Sequence, residues 1–222
     1  MKSIATALFV LLTVAASGCK SKNGATGPDG NKPEPKFFNC PTIIIKSTQG
    51  DMRVVLFHSQ PTTQHFIHFI ENAEKGYYNG CKIQFKHKPR GINEYVVLRN
   101  TSDAGGEMLQ TMRLANFHPV RGTLCIKQLF RTGDTNIYAD PYSFILIKEN
   151  LRQYKGQELR LLSGEMFCIG QIISGLDILD KLTGKDTILD IVDGMPISVS
   201  TEKYAKLGTS EIDNFADVLK TE

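Results

Sequence analysis

The sequence predicts a mainly β fold, a closed antiparallel barrel of about eight strands capped by two α-helices, with a further helix at the C-terminus. Short β-branched and apolar runs recur between residues 42 and 199, divided by glycine and polar segments. Only two stretches inside that span carry apolar residues at helical spacing. Many strands with so few helices favour an antiparallel sheet over an alternating β-α build.

The first strands are Thr42–Ser47 (TIIIKS) and Asp51–Phe57 (DMRVVLF), joined at Thr48-Gln49-Gly50 as a hairpin. Pro61-Thr62-Thr63 opens a helix whose apolar face is Phe66, Phe69, Ile70 and Ala73, and Gly76 is placed to end it. Strands follow at Tyr95–Leu98, Thr123–Lys127, Ser143–Lys148 and Met166–Ile173. Ser174 stands as N-cap of a second short helix, with Asp177 three residues on and Leu176, Leu179 and Leu182 along one side. A last strand is expected at Ile188–Val192 or Ile197–Val199. In the tail, Ser210 can cap a helix with Ile212, Phe215, Ala216 and Leu219 as its stripe, packed on the barrel or on a partner.

The termini are expected to lie outside this fold. Lys2 precedes an apolar run, Ala5 to Ala16, that is too short to span a bilayer. The run ends in Ala16-Ser17-Gly18-Cys19, which resembles a bacterial lipoprotein signal with Cys19 as the acylated residue. A plain secretory signal cut nearby is the alternative, and both export the chain. Residues 20–37, rich in Gly, Pro, Lys and Asn, read as a solvated tether. The expected organisation is a signal over 1–18, a tether over 19–40, a barrel over 41–200 and a helical tail over 201–222. Localisation follows as exported and lipid-anchored to the cell envelope, on its periplasmic face or the cell surface.

Net charge is only +3 over 222 residues, and the sole dense basic run is KHKPR at 86–90. That is too sparse for a phosphate-neutralising face, so nucleic acid is excluded as a partner. Cys40, Cys81, Cys125 and Cys168 follow Cys19 with no C-x-x-C pair and no metal spacing. They are expected as free thiols, Cys125 and Cys168 buried in strand-like runs. His65 and His68 lack further ligand spacing, so neither a metal nor a cofactor is implied.

Four words of the sequence, in order, resemble the cyclophilin family. They are STQGDMRVVLFHSQPTTQHFIHFIENAEKGYYNG (47–80), NFHPVRGTLCI (116–126), FCIGQIISGLDILDKL (167–182) and Gly194-Met195-Pro196-Ile197. The resemblance implies a peptidyl-prolyl cis-trans isomerase that binds proline-containing segments of exported proteins. Such enzymes seat the proline ring in an apolar pocket and direct an arginine at the prolyl nitrogen. The arginine withdraws the lone pair from amide resonance and lowers a rotation barrier of ~18–20 kcal/mol. Carried onto this chain, the resemblance gives a pocket of Tyr95, Val96, Phe144, Leu162 and Met166.

The polar catalytic set departs from the pattern. A gapless register puts Phe85 on the arginine, and a two-residue shift puts Lys86 and His87 on the family's His-Arg pair. Arg90, in a lengthened loop, is the one candidate replacement. Leu98 takes the place of the orienting glutamine, and Lys127 that of a small residue at the pocket rim. Two functions stay open: an isomerase with weak catalysis, and a non-catalytic cyclophilin-like binding or scaffold subunit of an envelope complex.

Overall fold

A computed structural model describes residues 37–57, 63–86, 94–98, 109–111, 120–130, 137–140, 143–148 and 166–200. All lie in one compact unit, Lys36–Glu222. The expected signal, most of the tether, Cys19 and the tail helix fall outside the described residues.

Among the described residues, ten strands and two helices follow in the order β1 (Phe37–Ser47), β2 (Gly50–Leu56), α1 (Thr63–Glu74), β3 (Ile83–Lys86), β4 (Glu94–Leu98), β5 (Leu109–Thr111), β6 (Thr123–Phe130), β7 (Ile137–Ala139), β8 (Ser143–Ile147), β9 (Met166–Ser174), α2 (Leu176–Lys181) and β10 (Ile188–Ser200). Every ladder is antiparallel. The main path runs β10-β1-β2-β9-β6-β8-β4-β3, with β7 on β6 and β5 on β7.

The expected closed barrel needs a correction. No ladder joins the path ends β3 and β10 among the described residues. The chain just ahead of each strand meets instead at an isolated bridge, Lys82 to Thr187. Three backbone hydrogen bonds flank it: Gly80 N to Ile188 O, Ile188 N to Cys81 O and Ile83 N to Asp186 O. With only four residues, β3 is too short to extend that contact into a ladder.

The β1–β2 hairpin forms where the two apolar runs and the turn at Thr48-Gln49-Gly50 predict it. Ile43 opposes Val54 and Ile45 opposes Met52, all at 2 % exposure or less, while Ile44 opposes the half-exposed Arg53 on the other face. Strand β1 begins earlier than expected because Phe37 to Cys40 pair with Ser200 to Ile197. A bulge between Cys40 and Thr42 absorbs Pro41, which cannot donate to a ladder. The two alternatives for the last strand are one continuous β10, and the Gly194-Met195-Pro196 word lies within it. Arg53 reaches across β1 to donate to the Met195 carbonyl and to Thr42 Oγ1.

Helix α1 buries Phe69, Ile70 and Ala73, and the chain turns out of it at Gly76, φ 68°. The Phe66 side chain lies outside the described ones. Helix α2 buries Leu179, with Leu182 just beyond it. Its N-cap is Gly175, not Ser174, which ends β9 and pairs with Arg53. The position demands glycine: φ is +88°, and a Cβ would meet the Asp51 carbonyl oxygen at 2.5 Å.

Asp186 fastens the hairpin turn to the segment ahead of β10. Its carboxylate accepts from Thr48 Oγ1 (2.7 Å), Gln49 Nε2 (2.8 Å), Thr183 N (2.7 Å) and Thr183 Oγ1 (2.8 Å). Hydrogen bonds from Gln49 and Thr48, in that order, are the main cause of a pKa lowered to about 2. A folded-state value below the ordinary one means stabilisation that is complete above about pH 4 and lost as pH falls towards 2. The urea midpoint of the wild type is expected to drop across that window. Asp186→Asn, weaker at neutral pH, is expected to show a shallower drop over the same pH series.

Candidate functional site

The middle of the sheet, β4-β8-β6-β9, has two distinct faces. Register puts Leu124 opposite Leu146 and Ile126 opposite Phe167. Phe144 belongs to this inner face, its ring edge-on to Phe69 at 5.6 Å and to Tyr78 at 5.0 Å. The outer face is built by the alternate residues. Cys125 opposes both Ile145 and Cys168, and Lys127 opposes Met166. Cys125, Ile145, Cys168 and Met166 are all at 4 % exposure or less, whereas Lys127 is exposed. At the same end Ser143 Oγ donates to Asp140 Oδ2 at 2.6 Å, and Asp140 N donates to the Lys127 carbonyl.

The RGT segment at 121–123 holds this region in place. Gly122 N donates to the Ile147 carbonyl and Ile172 N to the Gly122 carbonyl, so the turn clamps β6 between β8 and β9. Its φ is +83°, and a Cβ would meet Leu176 at 2.7 Å and Gln171 at 2.9 Å. Buried Gln171 donates to the Arg121 carbonyl at 2.8 Å and accepts from Thr123 Oγ1 at 2.9 Å. Thr123 Oγ1 in turn accepts from Val120 N at 2.9 Å. This polar network is satisfied, which is what permits its burial.

Of the expected pocket residues, Phe144 and Met166 have described side chains, and both are buried. Phe144 is a core residue, packed under α1 against Phe69 and Tyr78. Ile145, its neighbour, is on the alternate face and opposes Cys125. In the β4 ladder Val96 is opposite Ile145, whereas Tyr95 is opposite Leu146. Met166 is on the outer face, opposite Lys127. Leu162 and Arg90 lie outside the described residues. Leu98, in the glutamine's place, pairs with Ser143.

Phe85, on the arginine position of the gapless register, pairs with Tyr95 and is 44 % exposed. Lys148 Nζ stands 5.4 Å from its ring centroid. This cation was missed, although its place at the close of an apolar run was visible in the sequence. Two arginines occur among the described residues, and both are engaged elsewhere. Arg53 donates to Thr42 and Met195, and Arg121 pairs with Asp180 at 2.6 Å. Burial pushes the Cys40 thiol up to about 11, so it stays protonated and poorly nucleophilic at neutral pH. The outer face is thus apolar and buried, with the exposed Lys127 ammonium at its edge.

No protein-family model matches the sequence, and no curated protein matches it. Solved structures do. The chain is similar to a cyclophilin-type peptidyl-prolyl cis-trans isomerase of Cryptosporidium parvum, with 19 % identity and a TM-score of 0.53, over 70 % of this chain and 98 % of that one. It is similar also to that isomerase in the presence of the dipeptide Ala-Pro, with 19 % identity and a TM-score of 0.52, over 69 % and 98 % of the two chains. The fold is therefore cyclophilin-like, a mainly β antiparallel sheet with few helices.

Proposed function

We propose that this chain is an exported, lipid-anchored member of the cyclophilin group that holds proline-containing segments of other envelope or exported proteins, and isomerises them weakly. The observation that carries the reading is the cyclophilin-like sheet, in which β8, β6 and β9 bring the buried apolar side chains of Ile145, Cys125, Cys168 and Met166 together beside the exposed Lys127. A proline ring offers apolar area and no N–H, so an apolar face suits it without stranding a donor. The Ala-Pro dipeptide present with the Cryptosporidium parvum isomerase supports the same class of ligand. Holding without efficient turnover is favoured by Phe85 and Leu98, which stand where the family's arginine and glutamine fall. That observation also supports the second reading, a non-catalytic scaffold subunit of an envelope complex.

Titration of the purified chain with an Ala-Pro peptide tests the binding. Saturable binding is expected, and Lys127→Ala should tighten it roughly threefold to tenfold by clearing the rim opposite Met166. No binding, or binding indifferent to residue 127, counts against this face. The anchoring rests on Ala16-Ser17-Gly18-Cys19. Mass spectrometry of the protein from its native membranes is expected to find an N-terminal diacylated Cys19. An unmodified cysteine, or cleavage elsewhere, overturns the anchoring without touching the binding.

A further inference from the structure

Cys125 and Cys168 face each other across the β6–β9 ladder, at a register shift between Leu124 and Cys125. Their sulfurs are 3.8 Å apart, and both side chains are at 3 % exposure or less. Directly opposed residues of antiparallel strands have Cα atoms ~4.5–5.5 Å apart. That spacing falls within the ~4.4–6.8 Å a disulfide spans. Closing the sulfurs to ~2.0 Å is then a matter of side-chain rotation, with the backbone left in place.

We propose that Cys125 and Cys168 are a disulfide-forming pair that ties β6 to β9 when the chain meets a disulfide donor. One thiolate attacks a sulfur of the donor, breaking the donor's S–S bond and forming a mixed disulfide. The second thiolate then displaces the remaining donor sulfur and forms the Cys125–Cys168 bond. Two electrons pass to the donor, which leaves as two thiols carrying the equivalent of the two protons given up here. Because both thiols are buried, exchange takes place before β6 and β9 have docked, or through local opening of that pair. The bond cross-links positions 43 residues apart, which restricts the unfolded chain and is expected to raise the melting temperature by roughly 5–10 °C. It also lies two residue pairs along the ladder from Lys127 and Met166, so it stiffens that face of the sheet.

The experiment is refolding of the full chain in a mixture of oxidised and reduced glutathione, against refolding in dithiothreitol. The oxidised product is expected to be lighter by two hydrogens, to yield a linked peptide pair containing Cys125 and Cys168, and to melt higher until dithiothreitol is added. Cys125→Ala and Cys168→Ala should lose both the link and the oxidant-dependent shift. If either variant fails to fold, the wild-type peptide map decides alone. Complete alkylation of both thiols after oxidative refolding overturns the proposal, as does a stable bond from either cysteine to any other sulfur.

Discussion

Phe69→Ala is expected to destabilise the fold by about 3–5 kcal/mol. Phe69 is 1 % exposed at the meeting point of α1, the Gly76–Gly80 turn and β8. Its ring stacks on Tyr78 at 5.6 Å with planes inclined by 30°, and meets the edge of Phe144 at 5.6 Å. Tyr78 and Phe144 themselves touch edge to face at 5.0 Å, so the three rings form one closed cluster. Truncation leaves a cavity walled by β8 and by the turn that Gly76 and Gly80 fix, neither of which can follow the missing ring. Urea denaturation provides the measurement, with Phe85→Ala as the control. Phe85 is 44 % exposed, and its loss should cost ~1 kcal/mol or less. Equal effects at the two positions would show that the cluster contributes no more than surface burial.

Turnover of X-Pro peptides is expected to fall ~10²–10³ or more below that of an arginine-bearing cyclophilin. The chemistry asks for a fixed donor at the prolyl nitrogen during rotation, when the lone pair leaves amide resonance. Phe85 has no donor, and Lys148, the cation beside its ring, is a hydrated point charge without a planar fork. The guanidinium groups of Arg53 and Arg121 are held at Met195 and Asp180. Protease-coupled isomerisation at several protein concentrations gives the rate. Robust turnover that Arg90→Ala abolishes would relocate the catalytic group to the loop containing Arg90. Robust turnover that Lys148→Ala abolishes would assign the role to the ammonium.

Much of the fold was legible because its patterns are local. β-Branched apolar runs around a turn signal gave β1 and β2, helical spacing gave α1, and Gly76 marked a turn whose positive φ the structure contains. The misses have a shared cause, partners distant in sequence. Phe37–Asn39 becomes strand only because Ser198–Ser200 runs beside it, and the short β5 and β7 exist through pairing with each other and with β6. Gly175 displaces Ser174 as helix cap because the chain there passes against Asp51 and Met52. The site was harder to read for a reason peculiar to strands. Matching Phe144 to an aromatic of the family's word follows side-chain type, but which face a residue occupies is set by register. A slip of one residue exchanges core for outer face. The pairing of Val97 with Phe144, and the rings of Phe69 and Tyr78, place Phe144 on one face, and Ile145, equally buried, on the other.

The central claim, holding of proline segments on the outer face with little catalysis, is tested most directly by nuclear magnetic resonance of the isotope-labelled chain with an excess of Ala-Pro peptide. The expected result is a saturable set of amide shifts centred on Cys125, Lys127, Ile145 and Met166, while cis/trans exchange of the peptide stays near its uncatalysed time of tens to hundreds of seconds. Saturating peptide that leaves β6, β8 and β9 unshifted, or shifts confined to another face, would contradict it.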